Sequence, residues 1–269
     1  MPATLDSILS ATRRRVAASK RGTDLRDLER KAAQHEVRGF KDALLKADQD
    51  GVAIVGELKK ASPSRGTIRA EFDVASLAKE LATAGAAALS VLTDEEFFQG
   101  SLSNLQQASL STRLPCLRKD FMVDEFQMLE SRAHGADAVL LIVAALSDAE
   151  LRNLHRAARA FDLDVLCEVH DEQELARALG AGCEIIGVNS RNLRTFTVDL
   201  ETPMRLAALI PKNVLRIAES GIGSGQDIRK LRAVGYQGFL IGESLMKAVH
   251  PGEMLRILIA DAKHATVGS

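Results

Sequence analysis

The sequence predicts an α/β protein: a closed (β/α)8 barrel of the TIM type, preceded by an N-terminal helical extension. Three observations carry that prediction. Apolar, strand-like runs recur at 52–58, 86–92, 115–119, 138–143, 165–169, 185–189, 214–219 and 238–241. Between them lie stretches with an apolar period of 3.6, as in Val74-Leu77-Ala78-Leu81, Phe126-Leu129-Ala133 and Leu151-Leu154-Ala158-Phe161. Strict alternation of strand and helix implies a parallel sheet with right-handed crossovers, and eight such units without a break in composition favour closure. An open dinucleotide-binding sheet would need a glycine-rich turn after its first strand, and Gly56-Glu57-Leu58-Lys59 offers none.

In chain order, residues 3–47 read as two or three amphipathic helices, too small to stand as a domain of their own. The whole of 1–269 is therefore expected to be one barrel domain, with 1–47 as its extension. Leu5, Ile8, Leu9 and Val16 form one stripe, which makes Arg13 to Arg15 a solvated helix face in preference to an organelle transit signal. The buried run Val52–Val55 delivers Glu57, Lys59 and Lys60 into the turn Ser62-Pro63-Ser64-Arg65-Gly66. Further on, Asp73, Ser147 and Asp171 stand where helix N-caps would. Gly85, Gly135, Gly180 and Gly235 mark helix ends ahead of the next strand.

At 46% hydrophobic and 26% charged, 269 residues supply ample core for such a fold. Thirty-five basic against 36 acidic residues leave a net charge of -1, so no global field draws the chain to nucleic acid or anionic lipid. Any bound anion must be held locally. The first residues lack the order of a secretory signal, and the longest apolar run, Ala138 to Leu146, is far below the ~20 residues that span a bilayer. Membrane insertion is not expected. Cys116, Cys167 and Cys183 are odd in number and lack CxxC spacing, which argues against a disulfide framework or a zinc site and for a reducing cytoplasm. Alternation turns Cys167 toward the helices if its neighbour Glu168 points inward. His35, His134, His155, His170, His250 and His264 show no metal-ligand spacing, and no metal is expected.

Chemistry in such a barrel gathers at the carboxyl ends of the strands. There the sequence places Glu57 and Lys59; Thr93, Asp94 and Glu95; Arg118, Lys119 and Asp120; Glu168; Asn189, Ser190, Arg191 and Asn192; and Glu219 with Ser220. The fourth strand ends in apolar Leu141-Ile142-Val143-Ala144, fit to wall a ring-shaped substrate. Asp94 to Gly100, with Phe97 and Phe98, reads as a flap or aromatic wall. After strands seven and eight come Ser220-Gly221-Ile222-Gly223-Ser224-Gly225 and Gly242-Glu243-Ser244. Glycine turns at helix starts let backbone amides approach an oxyanion, so Gly221, Gly242 and Ser244, with the charge of Lys59, are expected to cradle a phosphate.

These segments together resemble indole-3-glycerol phosphate synthase, from the N-terminal helices to about residue 260. The resemblance is carried by Glu57-Leu58-Lys59-Lys60-Ala61-Ser62-Pro63-Ser64, Leu92-Thr93-Asp94, Phe97-Phe98-Gln99-Gly100-Ser101, Leu117-Arg118-Lys119-Asp120-Phe121, Glu168-Val169, Asn189-Ser190-Arg191-Asn192-Leu193, Glu219-Ser220-Gly221-Ile222 and Gly242-Glu243-Ser244-Leu245. It implies a phosphorylated substrate, anthranilate joined to deoxyribulose phosphate, and a cofactor-free ring closure, decarboxylation and dehydration. Under it, Lys119 is the acid, Glu168 the base of dehydration, Glu57 the group orienting Lys119, and Asn189 a holder of hydroxyls. Lys59, Ser62, Phe98, Arg191, Glu219 and Ser220 would contact the substrate, and an extension like residues 1–47 helps cover the mouth in that family. Other tryptophan-pathway enzymes are its candidate partners. The alternatives are another phosphate-binding barrel, such as phosphoribosylanthranilate isomerase or the tryptophan synthase α subunit, and a metabolite-binding barrel without catalysis.

Overall fold

The computed structural model describes residues 4–191 and 197–263. Eight parallel strands close into a barrel: β1 (Ala53–Leu58), β2 (Ala88–Leu92), β3 (Cys116–Lys119), β4 (Ala138–Ile142), β5 (Asp164–Val169), β6 (Ile185–Asn189), β7 (Leu215–Glu219) and β8 (Gly238–Ile241). Closure is visible in register: Val55 of β1 lies opposite Leu240 of β8 on one side and Ala88 of β2 on the other. Each sequence-expected strand forms, with ends displaced by no more than two residues.

Period-2 geometry sorts the strand residues into two apolar layers. Ala53, Val55, Ala88, Leu117, Ala138, Leu140, Leu166, Ile185, Leu215, Ile217 and Leu240 fill the inside of the barrel. Ile54, Leu89, Val139, Leu141, Val165, Ile186 and Phe239 face outward and meet the helical shell through residues such as Leu77, Leu81, Leu151, Leu154 and Leu231. The expected capping residues Asp73, Ser147 and Asp171 each accept a backbone N–H three residues on. Gly85, Gly135 and Gly235 take positive φ at helix ends, but Gly180 does not: it completes the helix Glu172–Gly180, and Gly182 makes the left-handed turn at φ 82°.

Three helices precede β1: α1 (Leu5–Gly22), α2 (Leu25–Gln34) and α3 (Phe40–Asp50). They divide the labour at the two ends of the barrel. Phe40 and Leu44 of α3 are fully buried and join the interior cluster, while the Lys41 backbone N–H donates to Asp164 at the start of β5. The helix α3 thus floors the barrel. Val16 of α1 and Leu28 and Ala32 of α2 pack on Phe126 and Ala133 of the helix Phe126–Ala133. Arg15 corrects the expectation of a solvated basic face: its guanidinium lies 2.9 Å from Asp120 and 3.5 Å from Asp94, which pins α1 to the rim.

The cysteine expectation is also corrected, because Cys167 and Cys183 form a disulfide. Cys167 does turn outward from β5, as alternation requires, and Cys183 sits just ahead of the neighbouring strand β6, with the two Cα atoms 6.4 Å apart. Adjacent strands bring together residues that no CxxC spacing announces. Cys116 remains a free, buried thiol, and burial pushes its pKa up to about 12.

Phe40 offers a test of the floor. Phe40→Ala should destabilise the protein by about 3–5 kcal/mol, the range for emptying a fully buried aromatic site, read from denaturant unfolding. A loss below about 1 kcal/mol would mean that α3 does not share the barrel core.

Candidate active site

The inward parity of the strands continues past the apolar layers to the carboxyl ends, where it delivers charge. Glu57 is two residues beyond Val55, Lys119 two beyond Leu117, Glu168 two beyond Leu166 and Glu219 two beyond Ile217. All four line one cavity of about 610 Å3 at that end of the barrel. Lys59, Ser62, Phe98, Asn189, Arg191, Ser220, Gly221, Gly242 and Ser244 line it too, whereas Thr93, Glu95, Arg118 and Ser190 of the expected rim do not. Asn192, Leu193 and His264 lie outside the described residues.

At the centre, Lys119 Nζ donates to Glu168 Oε2 at 2.8 Å and to Glu219 Oε2 at 2.7 Å. Burial alone would lower the Lys119 pKa, but the charges of Glu168, Glu219 and Glu57 outweigh it and hold the ammonium protonated well above its usual range. The two carboxylates on this cation are driven apart. Burial raises both; for Glu168, Lys119 and then His170 overcome it and pull the group below the usual range. For Glu219, burial and the repulsion of Glu168 win over Lys119, and its pKa rises. Glu168 is thus the stronger anion, with its other oxygen 3.5 Å from His170 Nε2. Glu219 Oε1 is buried beside Gly187 without a hydrogen bond among the described residues.

Glu57 differs from its expected part. Its direct partner is Lys59, whose ammonium it accepts at Oε1, and it reaches Lys119 only through charge. Asn189 Oδ1 accepts the Arg191 backbone N–H at 3.0 Å, leaving the amide to act on Glu168, whose ionised form it favours. Of the residues grouped on the third strand, only Lys119 and Asp120 line the cavity. Arg118 points outward and is 2% exposed, held by Asp120 at 3.0 Å, Glu130 at 2.9 Å and Thr93 at 3.2 Å.

The cavity wall is apolar where a ring would lie: Leu92, Phe98, Phe121, Leu140, Ile142 and Ile8 of α1. Phe98 belongs to a short helix, Glu95–Phe98, capped by Asp94, and its ring centroid is 6.4 Å from that of Phe121. Phe97 is not among the lining residues. On the opposite side the two glycine turns meet, with Ser244 Oγ donating to Ile222 O at 3.4 Å. Gly223 and Ser224 N–H groups already donate to Asp227, so the helix beginning at Gly225 carries its own anion, while the turns around Gly221 and Gly242 line the cavity. Glu243 beside it gathers Arg65 at 3.1 Å, Arg191 at 3.4 Å and Lys247 at 2.6 Å.

Sequence reasoning missed three contributors. Arg65 and Lys247 bring positive charge to the cavity lining, and nothing in the spacing of either sets it apart. Gly187 had a readable signal: it lies on the inward face of β6, two residues before Asn189, where neighbouring strands carry large groups. A Cβ there would fall on Glu219 Oε1, and one at Gly242 would fall on Glu57 Oε1. Each glycine is the hollow that admits a carboxylate. Gly187→Ala should leave the fold intact but dislodge Glu219 from Lys119, lowering turnover about tenfold or more with a folded circular-dichroism spectrum. Turnover within about twofold of the parent would show that the position of Glu219 is not critical.

Comparison with known proteins agrees with this geometry. Residues 5–258 match the family described as indole-3-glycerol phosphate synthase. A protein of that name from Koribacter versatilis is 58% identical over 259 residues, covering 96% of this chain and 100% of its own. Another from Verminephrobacter eiseniae is 46% identical, covering 95% and 98%. Among solved structures, 3-hexulose-6-phosphate synthase from Salmonella typhimurium superposes with a TM-score of 0.64 at 12% identity, covering 79% of this chain and 100% of that one. Thiamine phosphate pyrophosphorylase from Pyrococcus furiosus gives 0.59 at 16%, covering 80% and 96%. At such identities the structures speak for the barrel alone. With the family matched over nearly its whole length and relatives so close, the chain belongs to the indole-3-glycerol phosphate synthases, carboxy-lyases of tryptophan biosynthesis.

Proposed function

We propose that this chain converts 1-(2-carboxyphenylamino)-1-deoxyribulose 5-phosphate into indole-3-glycerol phosphate, carbon dioxide and water, with Lys119 and Glu168 as its acid and base. The observation that carries the assignment is the Lys119 ammonium held between Glu168 and Glu219, beside an apolar wall sized for an aromatic ring.

Substrate binding divides between the two sides of the cavity. The phosphate takes the turns at Gly221, Gly242 and Ser244 together with Lys59, and the anthranilate ring lies against Phe98, Leu140 and Ile142. Arg191 neutralises the ring carboxylate, while Ser62, Ser220 and Glu219 complete the wall. Attack of the ring carbon on the sugar ketone builds negative charge on the ketone oxygen, and Lys119 donates its proton there. Expulsion of carbon dioxide restores the aromatic ring and needs no base. Dehydration then removes a carbon-bound proton as hydroxyl leaves. Glu168, ionised at neutral pH because Lys119 and His170 hold it so, takes that proton. Asn189 holds the departing hydroxyl, and Glu57 keeps Lys59 in place.

No helix among the described residues is long and apolar enough to cross a membrane. A cytoplasmic location belongs to this proposal through the biosynthetic role of the family, and no longer through cysteine usage, since Cys167 and Cys183 are paired.

Two substitutions separate the stages. Lys119→Met should keep phosphate-driven binding while lowering turnover about a hundredfold or more; a turnover number within a few-fold of the parent would move the acid role elsewhere. Glu168→Gln keeps shape but cannot accept a proton near neutral pH. A single turnover of that variant should release carbon dioxide at close to the parent rate while indole fluorescence lags and a hydroxy-indoline accumulates. Equal slowing of both signals without an intermediate would place Glu168 at or before ring closure.

A further inference from the structure

His170 was set aside in the sequence because it lacks metal-ligand spacing, yet it stands directly behind the base. It follows β5, two residues after Glu168, and precedes the helix Glu172–Gly180. Its backbone N–H donates to Glu174 Oε2 at 2.8 Å, and its Nδ1 lies 3.0 Å from the same oxygen. A carboxylate only accepts, so Nδ1 carries a proton. The other ring nitrogen, Nε2, is buried without a hydrogen bond, 3.5 Å from Glu168 Oε1. The far oxygen of Glu168 is the one bound by Lys119.

We propose that His170 is a positioning residue for Glu168: clamped at Nδ1 by Glu174, it turns a protonated Nε2 toward Glu168 Oε1 and holds the carboxylate from the side opposite Lys119. The inference rests on the reading of Glu168 as the base. A neutral ring with its proton on Nδ1 would aim a bare lone pair at a carboxylate, in a place where no donor among the described residues reaches Nε2. A doubly protonated ring meets an acceptor at each nitrogen. The charged groups that face it are Glu174 from the helix, Glu168 from its own strand and Glu219 from β7. Burial opposes the charged ring, but the Glu174 hydrogen bond and the charges of Glu168, Glu174 and Glu219 outweigh it, and the His170 pKa rises. Below that raised pKa the imidazolium holds Glu168. As pH climbs through it the hold is lost, and turnover falls.

Two substitutions and one titration test this. His170→Asn retains a donor near Nδ1 but ends short of Glu168; His170→Gln extends an amide to the place of Nε2 and cannot titrate. The Asn variant should lose about tenfold in kcat with KM within about threefold. The Gln variant should recover most of kcat and lack the fall of the parent at rising pH. An Asn variant within about twofold of the parent, or a fall that persists unchanged in both variants, overturns the proposal. The second measurement needs no His170 variant. Nitrogen-15 NMR of the parent should show both ring nitrogens protonated below a pKa that is above the ordinary histidine value, and that pKa should drop in Glu168→Gln. A pKa that stays put in Glu168→Gln overturns the pairing. If it drops while Glu168→Gln completes dehydration at the parent rate, the pairing stands and the assignment of Glu168 as base falls instead.

Discussion

The buried ammonium of Lys119 is the constraint around which the barrel mouth is arranged. Removing such an ion from water costs several kcal/mol, and the cost is offset only where opposite charge meets it at hydrogen-bond distance. Glu168 at 2.8 Å and Glu219 at 2.7 Å do so from strands β5 and β7, two and four strands round the barrel from β3. Glu57, Glu168 and Glu219 crowd round this one ammonium, and their mutual repulsion splits its two direct partners into a firm anion and a reluctant one. A barrel interior of ordinary side chains has no space for this crowd. Gly187 and Gly242 make it, each lying where a Cβ would occupy the carboxylate of a neighbouring strand.

The same strand that sends Lys119 inward sends Arg118 outward, into a second buried charge network with Asp120, Glu130 and Thr93. Asp120 also accepts Arg15 of α1, so that helix, the rim and the strand carrying Lys119 are joined through one carboxylate. Leu5 and Ile8 of α1 reach the cavity itself. Round Glu243 the logic is different: Arg65, Arg191 and Lys247 converge on it near the rim, where partial exposure weakens each pairing.

The reading of the rim as one set of polar strand ends shows where sequence alone stops. It put Arg118 and Lys119 together, although alternation separates them to opposite sides of β3. Metal-ligand spacing is silent on His170, which is defined by Glu168 two positions earlier and Glu174 four later. The same reading counted cysteines for motif spacing, when Cys167 and Cys183 meet because β5 and β6 are neighbours in the sheet.

What the amino-acid sequence determined by itself is local and periodic: the alternation of strand and helix, the inward parity of Glu57, Lys119, Glu168 and Glu219, the caps at Asp73, Ser147 and Asp171, and the glycine turns after the last two strands. Those features depend on neighbours within a few residues, which is why they are legible in one dimension. Only the closed barrel decided which charge meets which across strands: that Lys119 pairs with Glu168 and Glu219, and that Gly187 admits a carboxylate from the next strand. Such pairings are set by strand order and radius, over separations of 49 and 100 residues for the two partners of Lys119, and no local pattern records them.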